Sequence, residues 1–434
     1  MTTDSDSQTQ TVTIVDLADK GKRLGRLPNG MAVFVEGDSV PGDTVEIRIH
    51  KSKKNFAEAT CLRVIEPSPD RVAPPCPYFK ACGGCSNQNL SYAAQLKLKQ
   101  KRVEDAFVRL AGIADPPISE IIGSSKELGY RNRITFKLGY DKEGQRVAAM
   151  HRVGSRELVI IEACMLGSEA LNKAMKVVLR NINENQILRS RATSIQLRES
   201  SSGRFAAQII VQEALPDGSH FPQSWPAQFE AVSLAQERAP HRVHLVGNGV
   251  IDEEIVGYRF QLPLDGFFQV NTEQCGNMIQ WMEKKIGTSA EDARSLDLFC
   301  GCATFSLPLA KAGYRVMALE GNKAAVKSAS VNAKLNKLKV NAHMQDLRKG
   351  FYYQGGAPEW VVVDPPRNGV HEPCMESLIK TAAKNILYIS CDPATLARDS
   401  KLLAEAGWKL IEVQPMDLFP QTDHVEVLTH WSRG

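Results

Sequence analysis

The pattern of apolar and polar positions predicts three different architectures along the chain. Between residues 11 and 66, short alternating or apolar runs are separated by turn segments at 28–30 and 41–43, a pattern typical of a small β-barrel of the OB type. Residues 91–112 have helical spacing between a candidate N-cap serine and a terminal glycine. From residue 266 onwards, strands alternate with helices, which predicts a doubly wound parallel sheet.

These patterns predict a multidomain chain. Residues 1–66 form the OB-like β-barrel, residues 67–260 form a central α+β domain, and residues 261–434 form an α/β domain with a Rossmann-like sheet. The helix over residues 91–112 belongs to the central segment, but we expect it to pack on the C-terminal domain.

Composition limits the compartment and the partners. The 434 residues carry a formal net charge of only +4, so nucleic-acid binding would depend on local basic patches. The first ten residues are polar, unlike a signal peptide, and no apolar run approaches the roughly 18 residues that cross a membrane. We therefore expect a cytoplasmic protein with no membrane partner. In that compartment its ten cysteines would serve metal binding or catalysis rather than disulfides.

Three cysteines are clustered as C-x5-C-x2-C at Cys76, Cys82 and Cys85. Thiolates this close, with two glycines between the last two, suit a soft metal centre that needs a fourth ligand. Cys164 is the best candidate for that ligand, because Cys61 lies within a strand pattern. Structural zinc usually uses paired C-x2-C knuckles, and only one such pair is present, which favours a [4Fe–4S] cluster over zinc.

A basic hairpin follows in the central segment. Its cations outnumber its acids, and two aromatic rings, Tyr130 and Phe136, lie among them. Guanidinium groups for phosphates and rings for base stacking are what a single-stranded RNA surface needs, whereas the alternative is an ordinary solvated sheet face. The cations are Arg131, Arg133, Lys137, Arg146, Arg152 and Arg156.

Several strands of the C-terminal domain end in residues with chemistry. A small-residue turn at Gly301 follows one strand, and the next strand ends in Glu320, placed to bind ribose hydroxyls. Because the turn lacks a full G-x-G-x-x-G, it fits S-adenosylmethionine better than a dinucleotide. A later strand ends at Asp364, before two prolines and Arg367.

A further strand ends at Cys391, where α/β sheets present their ligands. Alone, this thiol is more easily explained as a small core residue than as a nucleophile. The last strand carries His424 and Glu426 to one end of the sheet. Set beside Glu426, Asp364-Pro-Pro-Arg367 and the Gly301 turn, Cys391 becomes the better candidate for a nucleophile.

Together these motifs resemble those of the RNA uracil-C5 methyltransferases that carry an N-terminal TRAM domain and an iron–sulfur cluster, typified by bacterial 23S rRNA enzymes. The resemblance covers nearly the whole chain and includes Phe267-Phe-Gln-Val-Asn271, Asp364-Pro-Pro-Arg367 and Ser390-Cys-Asp-Pro393. It implies Cys391 as nucleophile and Glu426 as general base. It also implies a cofactor pocket of Gln269, Phe299, Thr304, Glu320, Asp346 and Asp364, and a [4Fe–4S] cluster held by Cys76, Cys82, Cys85 and Cys164. One departure is Ala303-Thr304, where the family usually has Gly-Asn, and we expect it to alter S-adenosylmethionine affinity.

The implied reaction is the formation of 5-methyluridine in 23S rRNA through a covalent adduct between the cysteine and uracil C6. The alternatives are another rRNA uridine, the tRNA T-loop uridine, methylation of an amino group at the Asp-Pro-Pro element, or a non-catalytic iron–sulfur protein that binds RNA. We expect RNA rather than DNA as the partner, and a monomer.

Overall fold

The computed structural model describes residues 9–18, 22–213, 215–216, 219–222, 224–237, 242–290 and 292–433. The chain forms two compact units. The first comprises Met1–Lys101, Met150–Val159 and Phe419–Asp423, and the second comprises Arg102–Ala149, Ile160–Leu418 and His424–Gly434. The division into three domains at residues 66 and 260 stays a prediction.

The first unit contains a closed five-stranded barrel, as the N-terminal pattern predicted. Alternate residues point inward, and Val33, Val35, Val45 and Ile47 are fully buried. The strands follow the order β1-β2-β3-β5-β4, with β3 parallel to β5. They are β1 Thr9–Leu17, β2 Arg23–Arg26, β3 Ala32–Glu36, β4 Thr44–Ser52 and β5 Phe56–Glu66.

The helix predicted over residues 91–112 forms, and it begins directly after the candidate cap at residue 91. Helix α1 spans Tyr92–Ala106 and continues as a π-helical turn, Phe107–Ala111, which Gly112 ends in the left-handed conformation (φ 73°). Val103 and Phe107 are fully buried in the apolar cluster that also contains the strands around Cys391. Among the described residues, no helix is both long and apolar enough to cross a membrane.

The middle of the second unit is a mixed sheet in which β12-β11-β10-β9-β6-β7 are neighbours. A separate hairpin, β13-β14, packs near β10 and β11. The strands are β6 Arg133–Tyr140, β7 Arg146–His151, β8 Leu158–Ile160, β9 Ala192–Glu199, β10 Phe205–Val211, β11 Phe229–Gln236, β12 Arg242–Val246, β13 Val250–Ile255 and β14 Tyr258–Pro263. The helices are α2 Glu169–Glu184 and α3 Gln186–Arg191.

The C-terminal part is the doubly wound sheet that the sequence predicted. Its order is β17-β16-β15-β18-β19-β21-β20, and β21 runs antiparallel to both of its neighbours. From β15 the chain first adds β16 and β17 on one side and then crosses over to add β18 on the other side. This reversal of strand order creates the crevice where such sheets bind ligands. The strands are β15 Arg294–Leu298, β16 Arg315–Glu320, β17 Val340–Met344, β18 Trp360–Val363, β19 Asn385–Ser390, β20 Lys409–Met416 and β21 Glu426–Ser432. The helices are α4 Thr272–Ile286, α5 Ser306–Lys311, α6 Lys323–Leu335, α7 Glu372–Lys380 and α8 Pro393–Glu405.

Candidate active site

The carboxyl edge of the doubly wound sheet gathers most of the residues that the sequence singled out. Phe299 follows β15, Glu320 ends β16, Asp364 follows β18 and Cys391 follows β19. Because β21 is antiparallel, its first residue, Glu426, lies at the same edge. The fold therefore brings the predicted nucleophile, base and cofactor residues to one side of the sheet.

Strand register places the thiol beside the acid. Ser390 pairs with Val427 in the antiparallel ladder of β19 and β21, so Cys391 and Glu426 are the next residues of the two segments beyond that pair. The charge of Glu426 acts on the Cys391 thiol, as expected for neighbours at one end of a ladder. Cys391 is partly exposed, whereas Glu426 is buried, so the thiol is the more accessible of the two.

The protonation of this pair is set by burial and by neighbouring charges. Burial, and then the Glu426 carboxylate, raise the pKa of Cys391 to about 11, while Arg367 opposes the rise. Burial and then Asp364 raise the pKa of Glu426 well above its usual range, and Arg367 again opposes this. Burial raises the pKa of Asp364 to about 7. At neutral pH the free protein therefore keeps the Cys391 thiol protonated.

The turn after β15 has an unusual backbone. Phe299, Gly301 and Ala303 all have positive φ angles of 63°, 53° and 75°. Only Gly301 is free of the steric cost of this conformation, and Ala303 is fully buried. Glu320 ties the turn to β16, because its carboxylate accepts hydrogen bonds from the Gly301 N–H (3.2 Å) and the Asn322 N–H (2.8 Å).

Two other predicted cofactor residues follow strands of the same sheet: Thr304 lies in the turn after β15, and Asp346 lies after β17. Thr304 is half-buried, with its hydroxyl 3.7 Å from the Cys302 thiol. Asp346 follows β17 and caps a short 3₁₀ turn, Leu347–Lys349, by accepting the Arg348 N–H (3.2 Å). Its carboxylate also pairs with the Arg348 guanidinium (2.8 Å).

Gln269 lies on the segment between β14 and α4, which Asn132 holds in place. The Asn132 amide donates to the Gln269 carbonyl (3.1 Å) and to the Thr272 hydroxyl (2.9 Å), and its backbone N–H donates to the Val270 carbonyl (2.8 Å). Arg133 adds a bond to the Gly266 carbonyl (2.7 Å). Asn132 and Arg133 therefore give structural support to the segment that carries Gln269.

This arrangement corrects the prediction of an RNA-binding hairpin with stacking rings. Tyr130 and Phe136 are buried, so neither ring can stack on a base. Arg146 is buried too, and its guanidinium donates to the carbonyls of Arg189 and Ser190, so it is not available to an RNA phosphate. The predicted hairpin forms, but both rings are turned into the core. The exposed ring next to the site is instead Phe267, with 75% of its surface accessible.

Sequence reasoning missed Asp399, which braces the loop after Asp364. Its buried carboxylate accepts the Tyr388 hydroxyl (2.6 Å) from β19 and the Val370 N–H (3.0 Å) from the loop. Gly369 packs against the same helix so closely that an added Cβ would lie 2.6 Å from the Asp399 carboxylate. A spacing of seven residues from the helix cap Asp392 is the only signal that this acid faces inward.

The cysteine cluster lies on a loop of the first unit. The Gly84 N–H donates to the Cys82 sulfur (3.4 Å), the kind of contact that stabilises a thiolate ligand. In the second unit, Asn172 holds the backbone of Cys164 through both its N–H (2.8 Å) and its carbonyl (3.0 Å). Among the residues that the structure describes, no three His, Cys, Asp or Glu side chains are placed to hold a metal ion.

Comparisons with known proteins agree with this geometry. The tRNA (uracil-5-)-methyltransferase family model matches residues 91–433, and the TRAM domain model matches residues 7–62. An RNA methyltransferase of Gloeobacter violaceus is 33% identical, with 98% of this chain and 97% of the relative covered. One of Bacillus cereus is 31% identical, with 97% and 96% covered.

Among solved structures, the tRNA (uracil-54, C5)-methyltransferase of Pyrococcus abyssi, in complex with S-adenosyl-L-homocysteine, has the same fold. The TM-score is 0.72 at 24% identity, over 97% of this chain and all of that one. The N-terminal barrel is thus a TRAM domain and the C-terminal sheet is a methyltransferase fold. The chain belongs to the family of S-adenosylmethionine-dependent RNA uracil-5 methyltransferases.

Proposed function

We propose that the protein methylates C5 of a uracil in RNA through a covalent bond between Cys391 and uracil C6. The observation that carries the proposal is that Cys391 directly follows the Ser390–Val427 pair and Glu426 directly precedes it, at the carboxyl edge of the sheet. A thiol and a carboxylic acid in this position supply both the nucleophile and the base that the reaction needs.

The residues act in a fixed order. The Cys391 thiol loses its proton to solvent as its sulfur adds to uracil C6, which makes C5 nucleophilic. S-adenosylmethionine, when bound, supplies the electrophilic methyl group. Once C5 carries the methyl group, the Glu426 carboxylate removes the remaining C5 proton, and the C6–S bond breaks to release the Cys391 thiolate. The balance is one methyl group gained by uracil and one proton released.

The raised pKa of Glu426 suits its second role. A carboxylate buried among other acids is a stronger base than one in water, so it can accept a proton from carbon. Arg367, which lowers the pKa of both Cys391 and Glu426, is the cation that limits this effect.

For the methyl donor, we propose a pocket along the same edge, lined by the side chains of Gln269, Phe299, Glu320 and Asp364, with Thr304 and Asp346 at its margins. Glu320 already orients the Gly301 turn, and it ends the strand where acids bind ribose hydroxyls. The Pyrococcus enzyme of the same fold holds S-adenosyl-L-homocysteine. Binding of that nucleoside by calorimetry tests the pocket, and its absence would contradict the proposal.

We propose that the RNA is 23S rRNA, as the resemblance implies, and that the target is a uridine. The second candidate is tRNA, favoured by the name of the matching family model and by the Pyrococcus enzyme. Purified protein should be incubated separately with unmodified 23S rRNA and tRNA, followed by mass-spectrometric mapping of 5-methyluridine. Modification of rRNA supports the proposal, and modification of tRNA alone contradicts the choice of substrate. Cys391→Ala is the control and should methylate neither.

We also propose that Cys76, Cys82, Cys85 and Cys164 hold a [4Fe–4S] cluster. The spacing of the first three and the N–H bond to the Cys82 sulfur support it. Anaerobically purified protein should contain about four iron and four sulfide per chain and absorb broadly near ~400 nm. Cys85→Ser should lose that iron and Cys61→Ser should keep it. Zinc in place of iron would contradict the assignment.

A further inference from the structure

Arg198 on β9 is a buried cation that lacks a hydrogen-bond partner. It is 2% exposed, and among the described residues none offers a hydrogen bond to any of its three guanidinium nitrogens. Burial lowers its pKa only to about 10, so it remains charged at neutral pH. An unpaired charge in the interior is strongly unfavourable, which indicates that Arg198 is kept for something that binds to it.

The surroundings hold more positive than negative charge. Arg133 stands directly across from Arg198 in the β6–β9 pairing, and its charge adds to the local excess. The acid that influences Arg198 is Glu253, which gives one oxygen to the backbone N–H groups of Ser201 (2.9 Å) and Glu254 (3.1 Å). Asp265 acts on Arg133 but is already paired with Arg242, so three guanidinium groups and two carboxylates still leave room for one further anion.

The guanidinium also lies close to the proposed donor pocket. It lies 5.9 Å from the centre of the Phe268 ring, and Phe268 precedes Gln269 in the chain. Arg198 also acts electrostatically on the Cys302 thiol, within the turn that follows β15. Phe268, Cys302 and Ala303 share one apolar cluster with Ala206, the residue opposite Arg198 on β10.

We infer that Arg198 binds the carboxylate of the amino-acid half of the methyl donor. This inference rests on the proposed function and assigns one more residue to the same pocket. A planar guanidinium matches a carboxylate with two parallel hydrogen bonds. An RNA phosphate is the other anion available, but a buried guanidinium fits a small ligand that becomes enclosed better than a polymer backbone.

The test compares two nucleosides that differ in the carboxylate alone. Calorimetry with S-adenosylhomocysteine and with its decarboxylated analogue gives an affinity ratio for each protein. The wild type should prefer the carboxylated nucleoside by roughly 10- to 100-fold, because a site built around an ionic hydrogen bond rejects a ligand that lacks it. Arg198→Met should bring the ratio close to one, and a ratio unchanged from the wild type would overturn the inference.

Two further variants keep the result interpretable. Arg146→Met also removes a buried guanidinium from the same sheet, but that group donates to carbonyls, so the ratio should stay at the wild-type value. Arg198→Lys retains the charge but loses the two parallel hydrogen bonds, so it should lower the affinity ratio several-fold. This variant tests the inference if Arg198→Met does not fold, and an unchanged ratio would overturn it. Wild type that binds neither nucleoside would contradict the proposed function itself.

Discussion

Replacing Glu426 by glutamine should make the catalytic thiol easier to ionise. Burial raises the pKa of Cys391 to about 11 from 9.0, and the negative charge of Glu426 is the next largest cause. Glutamine removes that charge and leaves the burial. The pKa of Cys391 should therefore fall below about 11 but stay above 9.0.

Because burial is the larger of the two causes, Glu426 accounts for at most roughly half of the rise in pKa from 9.0 to about 11. At pH 9, a thiol with a pKa of about 11 is roughly 1% thiolate, and each unit of decrease gives about tenfold more. Because the thiolate is the form that reacts, Glu426→Gln should speed alkylation of Cys391 by up to about tenfold at pH 9. The curve of rate against pH should shift to lower pH by up to one unit.

The assay is modification by iodoacetamide, with the peptide that contains Cys391 quantified by mass spectrometry over pH 7 to about 10. Cys374 is the internal control, because it is fully buried and should stay unmodified in both proteins. If Glu426→Gln reacts at the wild-type rate or more slowly while Cys374 stays protected, the two side chains are not electrostatically coupled.

Three further substitutions test the site around this pair. Glu320→Gln removes one acceptor from the Gly301 turn and should weaken S-adenosylhomocysteine binding by roughly tenfold in calorimetry; unchanged affinity would exclude the carboxylate from the pocket. Ala303→Gly removes a methyl group from a left-handed position and should tighten the same binding several-fold, whereas weaker binding would show that the methyl group contributes favourably. Asp399→Ala removes the oxygen that accepts the buried bonds from Tyr388 and Val370 and should lower the free energy of unfolding in urea by about 2–4 kcal/mol, whereas a loss below ~0.5 kcal/mol would show that the network is dispensable.

The sequence predicted the parts of the fold that local pattern determines. The strands before Phe299, Asp364 and Cys391 are apolar runs ended by glycine or proline, so their type and their ends were readable. The partnership of Cys391 with Glu426 depends on an antiparallel pairing between distant segments, and only the family resemblance supplied it.

Side-chain environments were harder to predict. Alternation along β6 places Phe136 on the same face as Ile134 and Leu138, but it does not show which face of the strand meets solvent. The environment of Arg198 comes from three segments that meet only in the folded chain: β9, the segment before α4, and the turn after β15. No local pattern could have distinguished it from the neighbouring arginines.

Covalent trapping tests the central claim most directly. A substrate RNA with 5-fluorouridine at the target position, incubated with S-adenosylmethionine, has no C5 proton for Glu426 to remove, so release of the thiol is blocked. The wild type should form an adduct that survives denaturation, with the RNA attached to the peptide that contains Cys391, and Cys391→Ala should form none. Methylation of ordinary RNA without any adduct from the fluorinated RNA, or an adduct on another cysteine, would contradict the account.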